Sequence, residues 1–238
     1  MQFIEVGVLG VRSAVITLRR SGSPMRFVLF PMIHLGSPEF YAAVAAEVRE
    51  CDLVVAEGQP NASRRRRLTL PGLTYLLLRR YRRSRLVVQR LNEETLGPPV
   101  IRPDLNLAEI RRRLRRLPLF TWMNAWLAMS VRIPWVALFV LIFGPERFLT
   151  HHLALDDDAP PLSPDERWAA IHAVIVDDRD ALLLDALTAI HEERGEEAID
   201  VAVVYGAGHM RAVVHGLLNR HGYRARQAHW LTVFDLDD

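Results

Sequence analysis

The 238-residue chain contains no lysine, and all 30 of its basic residues are arginine. That absence excludes Schiff-base chemistry and a P-loop lysine. It reads as a coding preference, since folding does not require a lysine-free surface. Cysteine is nearly absent as well. Cys51 stands alone, so neither an internal disulfide nor a cysteine-built zinc cluster can form. The first ten residues lack the basic start and apolar core of a secretory leader; Ile4, Val6 and Val8 alternate as in a strand. A reducing, cytoplasmic location is the expectation. With 50% hydrophobic and 24% charged residues, the composition is that of an ordered globular protein, not a disordered or collagen-like chain.

The net charge of +2 conceals an uneven distribution. Residues 64–116 carry 16 arginines against Glu93, Glu94, Asp104 and Glu109, a local excess of twelve positive charges. Such a block points to an anionic partner or to an acidic surface of the same fold. Residues 156–200 are strongly acidic and could supply that surface. The five tryptophans do not cluster as stacking platforms beside the arginines, so no nucleic acid is expected.

Residues 3–10 and 14–19 read as a hairpin, and 26–30 as an apolar strand running into Pro31-Met32-Ile33-His34-Leu35-Gly36. Ser37 and Pro38 then supply an N-cap and a proline at the first helical position, opening a helix to about Glu50. Residues 52–56 form a second apolar strand ending at Glu57-Gly58, which completes a β-α-β unit over 26–57. A second such unit follows near the end: strand 199–205, the turn Gly206-Ala207-Gly208-His209, a helix over 210–221, and one or two strands within 223–234. Between the halves, residues 60–162 read as a basic and apolar helical insert, with a break near Gly97-Pro98-Pro99. Ser163, Pro164 and Glu166 form a capping box, and 177–193 is amphipathic, with Leu183, Leu184, Leu187 and Ile190 on one stripe. The expected fold class is α+β: two βαβ-type halves making one mixed sheet flanked by helices, all in a single domain over 1–238.

Chemistry-bearing residues stand where such a sheet presents them, at the carboxyl ends of strands. These are His34 after the strand at 26–30, Glu57 closing 52–56, and His209 at the turn after 199–205. Two imidazoles and a carboxylate converging there suit a divalent metal. They suit equally a metal-free hydrolysis with Glu57 or a histidine as base toward water.

These motifs resemble those of the TraB/PrgY/GumN and Tiki families. The first is the strand-end His34 followed by a helix and the segment Asp52–Gly58; the second is Gly206-Ala207-Gly208-His209-Met210. Asp178-Arg179-Asp180 opens a helix where those families place an Arg-Asp start. One departure is Pro31, which stands where the family usually has glycine in the first motif. The resemblance covers about 26–58 and 171–215. It implies a Tiki/TraB-type fold with a variable helical insert, in a superfamily that also includes erythromycin esterases and a haem-binding group. By motif, His34, Glu57 and His209 would hold a divalent ion, Mn²⁺ or Zn²⁺ by ligand type. Glu57 would serve also as a catalytic group, Arg179 would pair with a carboxylate or an oxyanion, and Asp180 would orient a histidine. The implied activity is metal-dependent hydrolysis of amide or ester bonds in a peptide or small molecule.

The remaining features read more plainly. Residues 206–211 resemble half a dinucleotide fingerprint, but Arg211 takes the third glycine's place. His151-His152 and Asp156 to Asp158 read as an acidic, solvated loop, and Cys51 as core packing. Residues 118–143 are the most apolar stretch, with Arg132 and Pro134 interrupting them. One reading is a buried helical hairpin split at Pro134. The other is an element lying on an anionic membrane surface through 111–143, its tryptophans at the interface and Arg111 to Arg116 on headgroups. The second supports an alternative function, a non-catalytic, membrane-associated binding or regulatory protein, and a homodimer is compatible with either.

Overall fold

The computed structural model describes residues 1–58, 85–89, 96–158 and 171–236. The capping box at Ser163 and most of the arginine block at 64–84 lie outside them. Strands β1 (Ile4–Val6) and β2 (Gly10–Arg19) form the expected hairpin, with Glu5 opposite Arg12. Strand β3 (Arg26–Met32) follows, then a two-residue strand β4 (Leu35–Gly36) and helix α1 (Pro38–Arg49). Ser37 caps α1 as its position predicts, its hydroxyl accepting from the Phe40 amide at 3.1 Å. Strand β5 (Leu53–Ala56) completes the first β-α-β unit.

The second unit comprises β8 (Asp200–Gly206), a single 3₁₀ turn (Ala207–His209), helix α6 (Met210–His221) and one last strand, β9 (Arg224–Asp235). The two units interleave. β8 lies between β3 and β5, parallel to both, so that Met32 faces Gly206 and Ala56 faces Val204. β9 pairs along the full length of β2, on the edge away from β1 and β3. The result is a mixed sheet of seven strands, with a parallel centre and an antiparallel flank.

Pro31 sits inside central strand β3, where a missing N–H would ordinarily break a ladder. The β2 ladder on that side ends at Leu29, and the buried Ser13 hydroxyl donates to the Pro31 carbonyl at 2.6 Å. The proline is thereby accommodated with its carbonyl satisfied, and the strand still delivers His34 just beyond its end.

Helices cover both faces. Phe27, Leu29, Leu53, Val55, Val201 and Val203 point to the side covered by α5 (Asp178–Arg194) and α6, where Leu183, Leu187, Val213 and Leu217 complete a core. The alternate residues Phe30, Met32, Val54, Ala202 and Val204 meet α1 from the opposite side. Each fully buried aliphatic or aromatic side chain here contributes about 1.5–3 kcal/mol.

The intervening stretch departs from the all-helical expectation. Val87–Val88 (β6) pairs with β4, and Val100–Ile101 (β7) adds to the edge of the main sheet beside β5. β-branched pairs favour extended backbone over helix, and Val100-Ile101 also follows Pro98-Pro99. Helices α2 (Leu107–Arg115), α3 (Leu119–Phe143) and α4 (Pro145–Asp158) follow, then a π-helical turn (Ala173–Asp177) leading into α5. Two further expectations are corrected. α3 runs unbroken through Pro134, because a proline removes only one internal bond and bends a helix without having to end it. It is therefore one helix, not a hairpin, and half of it faces solvent. The segment with His151 and His152 is helical, and their rings pack on Phe139 and Phe148.

Candidate active site at the strand ends

Glu57 follows β5 with the same parity as Leu53 and Val55, so its side chain points toward the face covered by α5 and α6. Its amide extends the ladder by donating to the Val204 carbonyl at 3.1 Å. One carboxylate oxygen accepts from the Gly206 amide at 2.9 Å, and the other from the Arg179 guanidinium at 2.5 Å. Arg179, in the first turn of α5, also grips Asp104 through Nε at 2.8 Å and through Nη2 at 2.9 Å. Asp104 accepts in turn from the Gly58 amide at 2.8 Å, and the Arg102 guanidinium donates to the Glu57 carbonyl at 2.6 Å.

The three charged side chains are largely withdrawn from water, with exposures of 17% for Glu57, 13% for Arg179 and 4% for Asp104. Burial works against ionisation of both carboxyls. The Arg179 hydrogen bonds and charge, with the backbone amides, outweigh it and hold Glu57 and Asp104 below the ordinary carboxylate range. For Arg179 the two carboxylates likewise overcome desolvation, so it stays charged. Tyr205 is pushed upward by burial and then by the charge of Asp104.

On the other side of Gly206 stands His209, almost wholly buried. Its Nδ1 lies 2.6 Å from Oδ1 of Asp180. A carboxylate can only accept, so Nδ1 carries the proton and Nε2 keeps its lone pair in the neutral ring. That Nε2 has no hydrogen-bond partner among the described residues. Tyr205 braces the ring edge-on, with centroids 5.4 Å apart. Gly206 is closely approached: a Cβ there would stand a tight 3.2 Å from Glu57 Oε2 and at contact distance, 3.5 Å, from the His209 ring.

His34 is exposed, beside Gln89, whose amide donates to the His34 carbonyl at 2.9 Å. Its side chain is near enough to Glu57 for its field to favour the carboxylate. The strand ends thus gather His34, Glu57, Arg179, Asp180 and His209 in one neighbourhood, with Glu57 and His209 meeting at Gly206. Arg179 is committed to two carboxylates. Asp180 takes the orienting position beside His209.

Three participants escaped the sequence: Asp104, Arg102 and Gln89. Arg102-Pro103-Asp104 matched no motif, and the one available signal was an isolated acid within the arginine-rich block. Among the described residues, no group of three or more His, Cys, Asp or Glu is disposed to hold a metal ion. The donor chemistry explains why Glu57 fits that role poorly. A guanidinium already neutralises one oxygen and a backbone amide occupies the other. No family model, curated protein or solved structure matches the chain.

Proposed function

We propose that the strand-end cluster is the active site of a hydrolase that cleaves an amide or ester bond, related in kind to the TraB and Tiki proteins its motifs resemble. The observation that carries this reading is the His209–Asp180 pair, 2.6 Å apart at the turn after a central parallel strand. Asp180 holds the ring with its proton on Nδ1, and Nε2 takes a proton from water as that water attacks the substrate carbonyl. The same nitrogen then returns the proton to the leaving group. Glu57 is a weak proton acceptor, because Arg179 and the Gly206 amide hold it ionised. Its part is to fix Gly206, and with it the His209 turn, while Arg179 locks Glu57 to Asp104.

The dependence on Mn²⁺ or Zn²⁺ implied by the family resemblance belongs to this proposal only through His34 and His209, and no step above relies on it. The proposal keeps the cytoplasmic location expected from the single cysteine, with peripheral contact to a membrane through 111–143. The second reading, a membrane-associated binding or regulatory protein, is favoured by one observation, the solvent-facing apolar side of α3.

The test is turnover of p-nitrophenyl esters and fluorogenic peptides by wild type and His209→Gln. Each would be assayed with chelator and with added Mn²⁺ or Zn²⁺. The proposal expects wild-type turnover that falls about 10²–10⁴-fold in a variant that melts normally, the usual worth of a positioned base. Turnover only with added metal would restore metal dependence. Equal turnover in both proteins would remove His209 from the chemistry and favour the binding role.

A further inference from the structure

We propose that the solvent-facing side of α3, together with the arginines that end α2, docks on a membrane surface carrying anionic lipid. α3 is 25 residues long and, among the described residues, enters the core along one side, where Val136 and Val140 join the same cluster as Ile4 and Val11. The opposite half of its circumference carries Met123, Leu127, Val131, Trp135, Leu138 and Leu141. Leu127, Val131 and Leu141 are 68%, 70% and 71% exposed. A contiguous apolar face of this kind is uncommon on a monomer and marks a contact surface. Trp135 is about half exposed on it, as befits a ring whose body prefers the acyl boundary and whose N–H prefers water.

Charge selects the occupant. Arg115 and Arg116 lie exposed just ahead of α3, and neither has a side-chain partner among the described residues. α3 itself contains no acidic residue. A second copy packed helix to helix would offer those arginines no countercharge, whereas phosphate headgroups beside an apolar phase offer both halves of the match. Among the described residues no helix is long and apolar enough to cross a membrane, and the proposal has α3 lying in the plane of the interface. The docked pair also touches the catalytic end. α2 packs on the π-helical turn, and Arg113 pairs with Asp178, the residue before Arg179. Membrane docking stands independently of the hydrolase reading.

The experiment is flotation of the full chain with vesicles of phosphatidylcholine, with and without phosphatidylglycerol, alongside tryptophan emission. The protein is expected to float with the anionic vesicles, to shift its emission to the blue, and to release in high salt. Arg115→Gln with Arg116→Gln should weaken partitioning roughly fivefold per arginine. Leu127→Glu with Leu138→Glu should abolish it; both sites are exposed, so circular-dichroism melts should match wild type. His209→Gln should float like wild type, which separates this inference from the catalytic one. No binding to anionic vesicles would overturn the proposal, as would binding unaffected by the double glutamate change. A vesicle-free dimer that the same change converts to monomer would assign the face to a second copy instead.

Discussion

Replacing Arg179 by methionine tests how the site is held together. The stem is conserved in length, and the guanidinium that neutralises Glu57 and Asp104 is removed. Deleting one partner of a buried ion pair costs about 3–5 kcal/mol, chiefly by stranding the other charge. Here two carboxylates are stranded, but each keeps a backbone donor, Gly206 for Glu57 and Gly58 for Asp104. The lower end is therefore expected, about 3 kcal/mol at neutral pH, or about 6–12 °C in Tm for a chain of this size. The pH dependence carries more information than the magnitude. In the wild type both carboxyls titrate below their ordinary range, so their contribution is present above that range and lost as pH falls through the lowered values. In the variant burial, which favours the protonated acids, is opposed chiefly by the backbone amides. Mild acidification therefore relieves the variant, and the gap should shrink between about pH 7 and pH 4. Thermal melts of both proteins across that range read it directly. A gap under about 1 kcal/mol, or one that stays constant with pH, would refute the claim that Arg179 holds two charged carboxylates.

Three further outcomes follow from the same structure. Gly206→Ala keeps an acceptable backbone but presses on the Glu57 carboxylate beside the His209 turn, so turnover should fall roughly tenfold or more while Tm barely moves; a normal rate would show that the turn tolerates displacement. Cys51, whose thiol is pushed up to about 12 by burial and then by the charges of Asp200 and Asp52, should react with Ellman's reagent only after unfolding; rapid native labelling would contradict its place against the core. His191 and His221 pack ring to ring, 4.4 Å apart, near Arg20, Glu192, Glu196 and Tyr223, and burial lowers both below the ordinary histidine value. A lowered folded value means stability present above about pH 6.5 and lost as pH falls through it, so Tm should drop from pH 7 to pH 5 less steeply in His191→Gln with His221→Gln than in wild type.

Much of this was legible from local chemistry. Ser37-Pro38 marked the start of α1, and helix α6 was bounded by a glycine turn before it and Gly222 after it, the latter in the left-handed conformation that ends helices. His34, Glu57 and His209 were found because strand ends are where an α/β sheet exposes chemistry. The interleaving was not legible. β3, β5 and β8 are all buried on both faces and read alike, so nothing local says that β8 lies between the other two. Asp104 was missed for a related reason. Its role depends on β7 joining the sheet edge and bringing a loop to Arg179, which no spacing in the sequence announces. α3 was misjudged at Pro134 because a proline inside a run of strong helix formers bends the helix without ending it.

The central claim is that His209 and Asp180 act as one catalytic unit. A double-mutant cycle of His209→Gln and Asp180→Asn, read as kcat on whichever ester or amide the wild type turns over, tests it most directly. The account predicts that each change alone lowers kcat by about 10²–10⁴-fold and that the pair together costs little more than the worse single, with all three melting as wild type does. Simple multiplication of the two losses, or an unchanged rate in Asp180→Asn, would show that the 2.6 Å contact plays no part in the chemistry.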